Sequence, residues 1–173
     1  MKSRTTQSLD VLEILQSQHT EVDALLERLE ARTGDVDAIF AELADKLAAH
    51  ATVEEKIFYP AVFDDDTSDI LHESVEEHLE IKRVLADLLE LDACDEDDRD
   101  EFDAKLSVLK EQVSHHAHEE EEKQLFPILR EKLDVDELAA LGNEVLAMFE
   151  TLMDREPRND VPSETGEAAP LPG

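Results

Sequence analysis

The chain has 173 residues, 46 of them acidic and 16 basic, for a formal net charge of -30. A field of that sign repels nucleic acid and anionic membrane surfaces, and the length allows one well-buried domain with a tail but not two domains of ordinary size. With 41% hydrophobic residues, four glycines and a single cysteine, a disulfide framework is excluded and long uninterrupted helices are favoured over a turn-rich β fold.

Leu12, Leu15, His19, Val22, Leu26 and Leu29 step by three and four, the apolar stripe of an amphipathic helix with one histidine set inside it. This helix is predicted from about Ser8 to Ala31, and Gly34 with Asp35 breaks it. A second stripe follows in Phe40, Leu43, Leu47, His50, Glu54 and Ile57, and it should stop near Phe63, before the loop Asp64-Asp-Asp-Thr-Ser68. The third stripe is Leu71, Val75, His78, Ile81, Leu85 and Leu88, with Ser68 or Asp69 as the expected N-cap. An acidic loop from Asp92 to Asp100 holds Cys94, whose neighbours should raise its thiol pKa and leave it inert.

The fourth stripe is Phe102, Leu106, Leu109, Val113, His116 and Glu120, on a helix predicted to reach about Lys132. A fifth, from Asp134 to about Arg155, carries Leu138, Leu141, Val145, Met148, Phe149 and Leu152 without a histidine and reads as a packing helix. The expected fold is all-α: an up-down four-helix bundle with an additional C-terminal helix, residues 1–155 forming the domain and 156–173, rich in proline and without apolar periodicity, a disordered tail. The absence of a signal-peptide pattern and of a membrane-spanning run predicts a soluble, cytoplasmic protein, monomeric or weakly self-associating. Its charge fits a solvated surface, a salty interior in which screening removes the self-repulsion, or recruitment of cations toward an internal site.

His50 and Glu54, and His116 and Glu120, stand four residues apart, one helical turn on the same face, and both pairs run into an aromatic residue and a proline. Four imidazoles and two carboxylates on the inner lines of four helices cannot stay buried without partners, which points to a metal site made of His19, His50, Glu54, His78, His116 and Glu120. Imidazole and carboxylate without thiolate suit iron or manganese, and also zinc. Two registers are open on the fourth helix. His116 with Glu120 continues the apolar line, but the spacing to Pro127 is one residue longer than that from His50 to Pro60, which leaves His118 with Glu122 as the alternative, and a local π-bulge would reconcile the two spacings. His115 reads as a flanking group and His72 as solvent-facing. The rest of the glutamate run 119–122 reads as a solvated face, and Tyr59 as core packing, with a metal position or a proton relay as its alternatives.

The ordered set of His19, His50-x-x-x-Glu54 with Phe-Tyr-Pro, Glu-Glu-His78-Leu-Glu-Ile-Lys, and His-His116 with Glu120 and Leu-Phe-Pro resembles the hemerythrin-like (HHE cation-binding) domain over about residues 8–155. That resemblance implies two iron ions, bridged by the two glutamates and an oxo or hydroxo group, and a small-molecule ligand: oxygen, peroxide or nitric oxide. The family's oxygen carriers have a further histidine one turn before the third-helix ligand, where this chain has Ser74. By the resemblance both irons would keep an open position, which favours catalase- or peroxidase-like turnover over reversible oxygen storage. The alternatives are an iron or oxygen sensor or storage module whose metal occupancy controls partner binding, and a metal-stabilised structural bundle.

Overall fold

A computed structural model describes residues 10–173. It is helical, with no strand among the described residues, in the order α1 (Val11–Glu30), α2 (Val36–Val53), α3 (Tyr59–Val62), α4 (Ser68–Leu89), α5 (Arg99–Ser114), α6 (Phe126–Lys132) and α7 (Val135–Met153). Two π-helical segments are spliced into the helices, Glu54–Phe58 joining α2 to α3 and His115–Leu125 joining α5 to α6. A 3-10 helix, Pro157–Glu164, closes the order. No helix among the described residues is long and apolar enough to cross a membrane.

Local chemistry sets the starts. Asp10 caps α1 in a reciprocal box with Glu13, and Asp134 does the same for α7 with Glu137, each pair satisfying amide groups that the first turn leaves free. The expected start at Ser8 lies outside the described residues. Ser68, an expected cap, is instead the first residue of α4. Thr67 precedes it and turns its hydroxyl away from the helix, donating to the Val62 carbonyl (2.7 Å) and accepting from the Asp64 amide (3.0 Å). The loop thus holds itself together and leaves the helix end without a side-chain cap.

Both prolines after the aromatic residues sit immediately beyond a π segment. A proline inside an α-helix lacks the N–H and clashes with the carbonyl four residues back. In the wider π turn the amides of Tyr59 and Phe126 bond five residues back, to Glu54 and Glu121, so the chain enters Pro60 and Pro127 from a relaxed turn and the helix continues.

The core has two apolar ends with a polar band between them. One cluster gathers Val22, Leu26, Leu29, Leu43, Leu85, Phe102, Leu106 and Leu109; the other gathers Leu12, Leu15, Phe58, Tyr59, Leu71, Leu125, Phe126 and the inner face of α7. His19 falls between Leu15 of one and Val22 of the other, so each stripe carries its polar residue into the middle layer. At about 1.5–3 kcal/mol per buried large apolar side chain, these two ends supply the drive that holds charged groups in a dry layer.

The C-terminal segment differs from the disordered tail expected of its composition. Pro157–Glu164 packs on α2 and α4 with Val161 buried, and Arg158 pairs with the buried Asp45. Lys82 reaches Glu164 at 3.0 Å, and Arg83 donates to the Thr165 carbonyl at 3.1 Å. Its anchors are single side chains with no period, which a reading based on periodicity cannot register.

Candidate metal centre

The four inner histidines come one from each of α1, α2, α4 and the second π segment, and all are buried. Each turns Nδ1 outward onto an oxygen: His19 to Glu122 (2.8 Å), His50 to Gln18 (2.7 Å), His78 to Glu55 (3.0 Å) and His116 to Glu77 (2.8 Å). An oxygen acceptor at Nδ1 fixes the proton there, so all four Nε2 atoms face the middle of the bundle with lone pairs free when the ring is neutral. The supports form a closed ring. Gln18 precedes His19, Glu55 follows Glu54, Glu77 precedes His78 and Glu122 follows Glu121, so every supporting residue is the chain neighbour of a central residue and steadies the histidine of another helix.

Two carboxylates, Glu54 and Glu121, are fully buried at the centre, both 0% exposed. Glu54 presents Oε1 to His50 Nε2 (3.1 Å) and Oε2 to His78 Nε2 (3.1 Å). Glu121 presents Oε2 to His19 Nε2 (3.1 Å), while Oε1 accepts a hydrogen bond from the Tyr59 hydroxyl (2.9 Å). Glu54 therefore spans from a His19–His50 half to a His78–His116 half, where the two Nε2 atoms lie 2.9 Å apart, whereas Glu121 approaches the second half through the same Oε2, 3.9 Å from His116 Nε2. In the first half, His19 Nε2, His50 Nε2, Glu54 Oε1 and Glu121 Oε2 are buried and make no hydrogen bond to any described residue, although donor atoms of these four residues lie within 4.8 Å of one another. Four converging buried atoms without partners fit a metal ion, which would satisfy two lone pairs and two anionic oxygens at once.

Of the residues expected from the sequence, His19, His50, Glu54, His78 and His116 are brought together here. Glu120 is not. The expected phase counted about 100° per residue from His116, but His116 lies in the 11-residue π segment, whose hydrogen bonds close five residues on, and the residue returned to the inner face is Glu121. Glu120 turns outward beside Glu77, with its oxygen 3.3 Å from His115 Nε2. The alternative pair is also outside: His118 binds Asp23 at 2.8 Å, and Glu122 supports His19. A signal for Glu121 was present, since Glu54 and Glu121 both stand six residues before their prolines. The four supporting residues had none, because a glutamine or glutamate next to a core residue in the chain looks like any solvated residue.

The hemerythrin HHE cation-binding domain family model matches residues 10–129, which covers the whole centre. The chain belongs to the hemerythrin HHE family. No curated protein and no solved structure gives a match. Membership implies binding of a metal cation, and the His/Glu clusters of this hemerythrin-like centre are able to hold one.

The electrostatics follow from burial against pairing. Burial disfavours the imidazolium of His19, but the neighbouring carboxylates of Glu121 and Glu122 outweigh it and raise the group to about 9. Burial likewise opposes the charge on His116, and Glu121 and Glu54 hold it well above the usual imidazole range. Glu54 is driven the other way: burial would raise it, but the surrounding histidines, His50 foremost, hold it well below the carboxylate range. Burial and the charges of Glu121 and Glu54 push the Tyr59 phenol up, so it keeps its proton. Its hydroxyl, 3.3 Å from Glu54 and His78 and 3.4 Å from His116, belongs to the centre as well as to the apolar cluster beneath. Ser74, where the carriers' further histidine would stand, is buried and donates to the Ile70 carbonyl (2.9 Å), and Tyr59 fills the space before it.

Proposed function

We propose that this hemerythrin-like chain holds two iron ions, one on His19 and His50, the other on His78 and His116, with Glu54 and Glu121 shared, and that it reacts with oxygen, peroxide or nitric oxide. The observation that supports this reading is the pair of fully buried carboxylates between the two histidine pairs: Glu54 offers one oxygen to each pair, and Glu121 sets Oε2 3.1 Å from His19 and 3.9 Å from His116. When bound, the ions supply Lewis acidity and redox capacity to a small ligand.

The chain's own residues do the rest. The two apolar clusters exclude water, so charges in the band interact strongly. The Nδ1 supports fix the tautomer and direction of each imidazole. Tyr59 holds a proton at its hydroxyl, 2.9 Å from Glu121 and within 3.4 Å of two imidazoles, placed to donate to an anionic ligand arriving in the His78–His116 half. With Ser74 too short to reach the centre, that half has no further imidazole, which favours turnover of the ligand over reversible binding.

A second reading is supported by the charge inventory. Without a cation, two fully buried carboxylates rely on imidazolium partners and the Tyr59 hydroxyl, so metal occupancy is linked to folding and the bundle would serve as an iron sensor.

Anaerobic titration with ferrous iron and elemental analysis test the assignment: two ions per chain are expected, with Glu121→Ala losing most of them and Glu120→Ala retaining both. Oxygen is then added and removed while the visible bands are followed, beside an assay of oxygen evolution from peroxide. A species that reverts fully on deoxygenation, with no peroxide turnover above that of free iron, would refute the reactive reading.

A further inference from the structure

Outside the centre, α4 and α5 enclose a groove of about 520 Å³. Five carboxylates line it, from Glu73, Glu76, Glu77, Glu80 and Glu111, and His115 stands at its edge. Glu77 and His115 are part of this lining, and Glu120 lies behind it against His115. His115 Nε2 lies 3.4 Å from Glu77 Oε1 and 3.3 Å from Glu120 Oε1. Glu120 is only 5% exposed, and its Oε2 is buried without a hydrogen-bonding partner among the described residues; Gln112 Oε1, on the groove wall, is likewise unpartnered. Two carboxylates therefore crowd one another where neither basic side chains nor further donors meet Glu120 Oε2.

We propose that Glu77, His115 and Glu120 form an outer binding site for a divalent transition-metal cation, through which ions collected by the acidic groove pass to the buried centre. The proposal rests on the reading of that centre as a metal site. His115 Nε2 stands 3.4 Å from the Glu77 oxygen and 3.3 Å from the Glu120 oxygen, separations that match neighbouring ligands on one ion, since bonds of about 2.1 Å put such atoms about 3.0–3.4 Å apart. An imidazole among the carboxylates selects iron, cobalt or zinc over magnesium and calcium. Three protein donors on a partly open rim leave room for water, so the ion is held weakly enough to leave. The step inward is short, because Glu77 also accepts from Nδ1 of His116 (2.8 Å), whose Nε2 already faces the centre. The groove concentrates cations by its field, and the net charge of -30 acts in the same direction.

The test loads chelator-treated full-length protein with Co(II) and follows the rate by visible absorption and the final stoichiometry by elemental analysis. Glu120→Gln and the half-exposed His115→Ala are compared with wild type and with Glu96→Gln, a charge control in the distant acidic loop. The expected result is loading slowed about tenfold or more in both variants, the lower end of the effect of removing a supporting group, with two ions still bound at the end, and with the control matching wild type. A weak additional ion should be present in wild type and lost in both variants. Equal loading rates with no weak ion would overturn the outer site. Should wild type bind one ion that Glu120→Gln removes while the four inner histidines take none, the reading of the centre fails and the outer site stands. Should wild type bind no ion at all, both fail.

Discussion

The Tyr59 hydroxyl donates a 2.9 Å hydrogen bond to Glu121, joining the first π segment's end to the middle of the second across 62 residues of chain. Both residues are fully buried and both owe their position to a π turn. Replacing Tyr59 by phenylalanine keeps the shape and orphans one oxygen of Glu121. We expect Tyr59→Phe to bind metal at wild-type stoichiometry, and to lose about 1–3 kcal/mol of stability in the chelated state, the cost of an unsatisfied buried acceptor. Turnover of peroxide should fall about a hundredfold, the scale of one positioned proton donor. Unchanged turnover with unchanged stability would place the hydroxyl outside the chemistry.

What the residues alone could tell, and what they could not, divides along the π segments. The stripes through His19, His50 and His78 were legible because α1, α2 and α4 are regular up to those residues, and a period of 3.6 carries the phase correctly. Past His116 the helix widens, and one residue of extra spacing moves the inner glutamate from Glu120 to Glu121. The extra residue is visible as the eleven positions from His116 to Pro127 against the ten from His50 to Pro60, but nothing local says where it is absorbed. The supports of the histidines and the docking of residues 157–164 are long-range pairings of isolated side chains, and these carry no periodic trace.

The ring of supports has one neutral member. His50 rests on the amide of Gln18, whereas the other three imidazoles rest on carboxylates, which raise ligand basicity more. Gln18→Leu should leave the His50 ring free to rotate and lower metal affinity about 10–100-fold, with no change in the number of ions bound at saturation. Gln18→Glu should tighten it. Competition against a chromophoric chelator measures both, and equal affinities in all three proteins would remove the supporting role.

The C-terminal segment is expected to be part of the folded unit. Asp45 is 8% exposed and is offset by Arg158, whose backbone amide also donates to it at 3.1 Å. Arg158→Ala leaves that carboxylate without its cation. Removing the partner of a part-buried charge costs about 2 kcal/mol, or roughly 4–8 °C in melting temperature for a chain of this size. The double change Arg158→Ala with Asp45→Ala should recover part of the loss. A single variant that melts with wild type would show the segment undocked in solution.

The centre also predicts how stability depends on pH once metal is removed. His19 is raised from 6.5 to about 9, so its contribution is fully present below pH 6.5 and is lost as the pH rises through 9. His78 and His116 are raised as well and act with the same sign. Glu120 is pushed up from 4.5 to about 8, by burial first and then by Glu77; the folded chain therefore holds its proton where the unfolded chain does not, and stability falls as the pH climbs from 4.5 to 8. Glu122, lowered from 4.5 to about 2, contributes above pH 4.5 and is lost only as the pH falls through 2, so it is constant over the neutral range. All the varying contributions decline together, and the chelated protein should melt lower at pH 9 than at pH 6. A net loss of about 2 kcal/mol would lower the melting temperature by roughly 4–8 °C. Metal reverses the trend, because binding displaces the imidazole protons and tightens as they become scarce. Melting curves across pH 6–9, with and without metal, separate the two cases. A chelated protein whose melting temperature is flat or rises over that range would show that the buried histidines carry no extra protons in the folded chain.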